Sequence, residues 1–75
     1  MANKYTMAAK VKQARKHSKL SQGALAAKTG LSKETIYMIE SGRVTWPTLP
    51  TLRKISQGTK VKLSFFIKDI EWGDL

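Results

Sequence analysis

Met7, Val11 and Ala14 recur at spacings of four and three residues, which places them on one side of a helix. Thr6 stands just ahead of them as a cap, and Lys10, Lys12, Arg15 and Lys16 decorate the remaining surface. The pattern stops near His17-Ser18, and residues 1–5 before it read as a loose arm. A second helix follows the cap Ser21, over the short, small-residue run QGALAAK. Leu20 and Leu25 occupy the positions of a hydrophobic staple at its start. Gly30 stops it, because glycine accepts the left-handed conformation that ends helices. The third helix repeats the design with Ser32 as cap and Leu31 and Ile36 as staple. Ile36, Ile39 and Glu40 then point one way, and Gly42 closes it. After the loop RVTWP, Thr48 caps a fourth helix with Pro50 in its first turn, where a missing N–H is tolerated. Leu49, Leu52 and Ile55 form its apolar face, and Gly58 is expected to end it.

The last apolar stretch has two readings. Val61, Leu63, Phe65 and Ile67 alternate as in a strand, whereas Leu63, Phe66, Ile67 and Ile70 fit a helix. Periodicity leaves helix and strand open for residues 62–72.

Two short helices joined by a tight turn containing glycine have the form of a helix-turn-helix. A small residue is needed where the helices cross, and Ala26 supplies it. Gly30 reverses the chain, and Leu25, Ile36 and Ile39 close the small core. The segment LSQGALAAKTGLSKETIYMIESGR therefore resembles the helix-turn-helix of the lambda repressor/Cro (XRE) family, and the similarity extends from Val11 to Phe66. The resemblance implies an all-α fold, a compact bundle of about five short helices whose second and third form the motif. It also implies a structural ion pair between Arg15 and Glu40, which matches an arginine on the first helix and a glutamate late in the third. Gln22 matches the family position that grips a phosphate and braces the recognition helix. The chain departs from the family at Gly58-Thr59-Lys60-Val61, where the fourth helix is expected to end early or irregularly.

Stepping about 100° per residue from Ile36 puts Glu34, Tyr37, Met38 and Ser41 opposite the buried side, with Ser32, Lys33 and Thr35 at the helix start. In a recognition helix that second face meets DNA. Lys33 has donors for guanine O6 or N7, and Glu34 accepts from a cytosine amine. Met38 or the Thr35 methyl suits a thymine methyl, and Tyr37 reaches a phosphate or sugar. Ser41, Arg43 and Thr45 continue as a phosphate clamp, while Trp46 fits loop packing better than DNA contact.

Charge strengthens this picture. The 75 residues hold 14 Lys+Arg against 5 Asp+Glu, a net +9. Asp69, Glu71 and Asp74 all fall in the last seven positions, so the fourteen cations of residues 1–68 meet only Glu34 and Glu40, a net +12. Such a body attracts a polyanion, with double-stranded DNA first and an anionic membrane second. The chain has no cysteine and one histidine, so neither a thiolate metal site nor a nucleophile–base–orienter set can be assembled. No cofactor is called for, and an enzyme is not expected. No apolar run approaches the ~20 residues of a membrane span, so the expected location is the cytoplasm.

The reading is one helix-turn-helix DNA-binding domain over residues 1–75, with an acidic–apolar tail at 69–75. A sequence-specific regulator is expected, a repressor bound to a pseudo-palindromic operator as a homodimer, excluding or touching RNA polymerase. The alternative is a protein-interaction module such as an antitoxin. Phe65, Ile67, Ile70 and Trp72 are the candidate dimer or partner surface.

Overall fold

The computed structural model describes residues 6–68, an all-helical bundle. In order these are α1 (Met7–His17), α2 (Gln22–Thr29), α3 (Lys33–Glu40), α4 (Leu49–Thr59) and α5 (Leu63–Ile67). The expected loose arm at 1–5 and tail at 69–75 lie outside the described residues.

Four helices begin on a side-chain cap. Thr6, Ser21, Ser32 and Thr48 each accept a hydrogen bond from the backbone N–H three residues on. That satisfies one of the donors left over in every first turn. Two glycines end helices where a left-handed residue is required. Gly30, at φ +77°, closes α2 with its N–H on the Ala26 carbonyl at 2.9 Å. Gly42, at φ +84°, closes α3 while the Arg43 N–H returns to the Met38 carbonyl at 3.0 Å.

The core has two parts. Met7, Val11 and Ala14 from α1 meet Ile39, Leu52, Ile55 and Phe66. Leu25, Ala26 and Ile36 form a second cluster between α2 and α3. Leu31, in the turn between those helices, packs against both clusters, so the motif is wedged onto the bundle by its own staple residue.

Tertiary packing settles one open alternative and corrects two sequence expectations. Residues 63–67 form a helix, because a helical turn lets Phe66 drop fully into the core while α5 stays against α1 and α4. Lys10 does not decorate the surface. It is 6% exposed, its Nζ donates to the Phe65 carbonyl at 2.9 Å, and it lies 4.8 Å from the Phe65 ring centre. This lysine ties α5 to α1. Finally, Gly58 does not end α4. The helix runs through Thr59, and Lys60 takes the left-handed position at φ +59°.

Gly58 serves the packing of α2 on α4. A Cβ there would lie 2.8 Å from Thr29 Cγ2 and 3.3 Å from Leu25 Cδ1. Thr29 cannot rotate freely, since its Oγ1 donates to the Leu25 carbonyl at 2.8 Å and accepts from the Leu31 N–H at 3.2 Å. Gly58→Ala is therefore expected to destabilise the protein. Overpacking costs about 1–3 kcal/mol, more than the ~1 kcal/mol that alanine gains in helix propensity. Adding Thr29→Ser removes the clashing methyl and should recover part of the loss in urea unfolding. Strict additivity of the two changes would mean that the contact does not exist.

Candidate nucleic-acid interface

The geometry of α3 is fixed from its inner side. Ile36 and Ile39 are buried, and Glu40 follows them inward. Arg15 Nε donates to Glu40 Oε2 at 2.7 Å, and Nη2 donates to Oε1 at 3.0 Å. The fork of the guanidinium thus meets both carboxylate oxygens, the arrangement that gives such pairs their directionality. Arg15 Nη1 also donates to the Leu20 carbonyl at 2.9 Å, and Gln22 Nε2 donates to Glu40 Oε1 at 3.3 Å. One carboxylate at the end of α3 therefore ties together α1, the turn after it, and the first residue of α2. The side chains of Arg15 and Glu40 are 12% and 3% exposed, so water screens the pair little. The hydrogen bond to Glu40 raises the Arg15 pKa above its ordinary value, against the opposing effect of burial. The arginine stays charged throughout the working pH range.

The turn of the motif has its own brace, which sequence reasoning missed. Thr29 is buried, and its hydroxyl links the last carbonyls of α2 to the N–H of Leu31. The available signal was a threonine immediately before the helix-ending glycine, a position where a hydroxyl can reach back four residues.

With the inner face held, α3 presents an outer face. Ser32, Lys33, Glu34, Tyr37 and Ser41 are exposed, Tyr37 at 50%. Thr35 and Met38 are half-buried, and so is Gln22 at the start of α2. Some hydroxyls are already engaged. Ser32 Oγ accepts from the Thr35 N–H at 3.0 Å and shares a 2.8 Å hydrogen bond with Thr35 Oγ1. Ser41 Oγ donates to the Met38 carbonyl at 3.1 Å. Among the described residues, the side chains of this face that make no hydrogen bond or ion pair include the Lys33 ammonium, the Glu34 carboxylate and the Tyr37 hydroxyl.

The loop after α3 folds back along the helix. The N–H groups of Arg43 and Val44 both reach the Met38 carbonyl, at 3.0 and 3.2 Å. Val44 packs against the core and Pro47 is buried, so the loop is anchored while Arg43 and Thr45 stay exposed. Val44 and Pro47 were not singled out from the sequence, and their apolar character three residues apart was the only signal. Of the candidate partner surface, Phe65 is half-buried and Ile67 is 37% exposed, while Ile70 and Trp72 lie outside the described residues.

Lys33 and Arg43 are the exposed cations on α3 and its following loop. Exposed lysines and arginines elsewhere, including Lys12, Lys16, Lys19, Lys28, Arg53 and Lys54, spread the positive field around the bundle. Such a field steers a polyanion at long range. Among the described residues no group of three His, Cys, Asp or Glu side chains could hold a metal ion, and no helix is long and apolar enough to cross a membrane.

A family model described as helix-turn-helix matches residues 11–66, most of the chain. No curated protein matches it.

Proposed function

Because the chain belongs to the lambda repressor/Cro-like (XRE) family of helix-turn-helix DNA-binding regulators, we propose that it represses transcription by occupying a specific, pseudo-palindromic operator as a homodimer. The carrying observation is the two-sided build of α3. Its inner side is pinned through Glu40 to Arg15 and Gln22, and its outer side carries Lys33, Glu34 and Tyr37 exposed.

A helix held this rigidly enters the major groove with its first turn toward base edges. Lys33 donates to guanine O6 or N7, and Glu34 accepts from a cytosine N4 amine. The half-buried Met38 and Thr35 supply apolar contact to a thymine methyl. Gln22, held on Glu40, and the N–H groups at the start of α2 face a phosphate. Ser32 keeps α3 capped beside the duplex, Tyr37 spans toward sugar and phosphate, and Ser41, Arg43 and Thr45 grip the backbone beyond the helix. Two copies place their recognition helices about 34 Å apart, one turn of DNA, and a protein on that site obstructs RNA polymerase.

Selection from random duplexes at physiological salt, followed by sequencing, tests this reading. A two-fold symmetric consensus is expected, and salt-sensitive binding with no consensus would overturn it. On the selected site, Lys33→Ala should cost about 1–3 kcal/mol and relax preference at one position of each half-site. Arg43→Ala should weaken all duplexes evenly and reduce the salt slope by about one. Fluorescence anisotropy over a salt series separates the two. A uniform loss from Lys33→Ala would move Lys33 from base reading to phosphate contact.

A further inference from the structure

Between α1 and α5 runs an open groove of about 570 Å³, with Ala14, Val61 and Phe65 as its apolar lining and Gln13, Lys16 and His17 along it. We propose that this groove seats residues 69–75 of a second copy of the chain. The proposal rests on the homodimer read above and gives it a specific contact.

The chemistry of the two parts is complementary. The segment reads Asp69-Ile70-Glu71-Trp72, acid and apolar residues in strict alternation. In an extended chain that alternation puts Ile70 and Trp72 on one side and both carboxylates on the other. The apolar side matches the groove. The carboxylates match exposed Lys16, with Lys12 one turn earlier on α1 and Lys62 next to Val61. Three of the chain's five acids lie in this segment, against a body of net +12.

Chain direction selects a second copy over the segment's own bundle. Ser18 Oγ donates to the Thr59 carbonyl, and Lys10 Nζ donates to the Phe65 carbonyl. Consequently α5 runs antiparallel to α1, and the chain leaves it toward the start of α1, with Lys68 in an extended conformation. The groove lies behind that exit, toward the end of α1. To enter it in its own bundle, the segment would have to reverse within a few residues, and Ile67-Lys68-Asp69-Ile70 holds neither glycine nor proline to favour a turn. A second copy placed ahead of the exit would present the same groove with no such reversal. Seven extended residues reach roughly 24 Å, comparable with the 22 and 21 Å short dimensions of the bundle. The exchange is reciprocal, so each dimer buries two Trp72 rings at about 150–250 Å² each. That is a substantial part of the ~1,200–2,000 Å² that a stable interface requires.

Sedimentation velocity over a concentration series tests the proposal with the full chain, a chain ending at Lys68, and Trp72→Ala. The full chain is expected to dimerise, and both variants should dissociate at least about tenfold more readily while keeping their helical circular dichroism. The chain has no native cysteine, so cross-linking is unambiguous. A mixture of Gln13→Cys and Gly73→Cys chains should form a disulfide-linked heterodimer under mild oxidation. A full chain that stays monomeric overturns both the homodimer reading and this proposal. A dimer of undiminished affinity without residues 69–75 leaves the homodimer standing and overturns the seat. Efficient disulfide formation only within a single chain carrying both cysteines overturns the exchange between copies.

Discussion

Arg15→Ala is expected to remove about 3–5 kcal/mol of stability, the cost of breaking a buried ion pair from one side. The variant leaves the Glu40 carboxylate, 3% exposed, with the Gln22 amide at 3.3 Å as its remaining polar partner. It also releases the Leu20 carbonyl that Arg15 Nη1 holds. At about 0.05–0.15 kcal/mol per residue, a domain of this size has only about 4–11 kcal/mol in total. Much of the variant should therefore be unfolded or close to it at 25 °C, which urea unfolding followed by circular dichroism measures directly. The paired variant Arg15→Met with Glu40→Leu should recover most of the loss, because two apolar side chains avoid the desolvation of two charges. If the paired variant were as unstable as the single one, the pair would contribute net stability. Recovery would instead show that its value lies in fixing α3. In that case the folded double variant should bind duplexes with less discrimination, since Gln22 and the end of α3 have lost their common anchor.

Phe66→Ala should cost a comparable 3–5 kcal/mol, by a different mechanism. Phe66 is among the largest fully buried side chains, and its ring meets that of Phe65 edge-on at 5.5 Å. A five-residue helix has no stability of its own, so α5 holds its place through this anchor and the Lys10 hydrogen bond to the Phe65 carbonyl. Truncation leaves a cavity beside Val11, Ile55 and Leu52 and loosens α5 from α1 and α4. Chemical denaturation gives the magnitude, and hydrogen exchange separates two routes to it. Exchange that rises over the whole bundle marks α5 as part of the cooperative core. A loss below about 1 kcal/mol with faster exchange confined to residues 63–68 would mean that α5 opens independently.

The helix-turn-helix was legible because its requirements are local. Capping hydroxyls at Ser21 and Ser32, a left-handed glycine at Gly30, a small residue at Ala26 and the periodicity of Ile36 and Ile39 each reflect physics acting within a few residues. The same periodicity separated the two faces of α3, so Glu34, Tyr37, Met38 and Ser41, with Lys33 and Thr35 at the helix start, stood out before any packing was known. Packing then showed Met38 and Thr35 to be half-buried. At Gly58 the local rule misled. Glycine ends helices often, yet here its missing side chain makes room for Thr29 and Leu25 from another helix. Lys10 misled for a related reason. A lysine on an amphipathic helix ordinarily faces water, and only the position of α5 supplies the carbonyl and ring that make burial favourable.

The sequence by itself determined four capped helices, the reversal at Gly30, the family and the strongly basic body. These follow from near-neighbour spacing and from composition. Tertiary structure decided what depends on residues distant in the chain. It chose helix for residues 63–67, a conformation in which Phe66 is fully buried in the cluster shared with α1 and α4. It carried α4 past Gly58 and turned Lys10 inward. It also supplied the geometry of the Arg15–Glu40 pair that the family resemblance implied, and added the Gln22 amide to the same carboxylate, with residues up to 25 positions apart. The physical reason is common to all four. Periodicity tells which side of an element is apolar, but the donor, ring or cavity that meets each side chain is supplied by an element elsewhere in the chain.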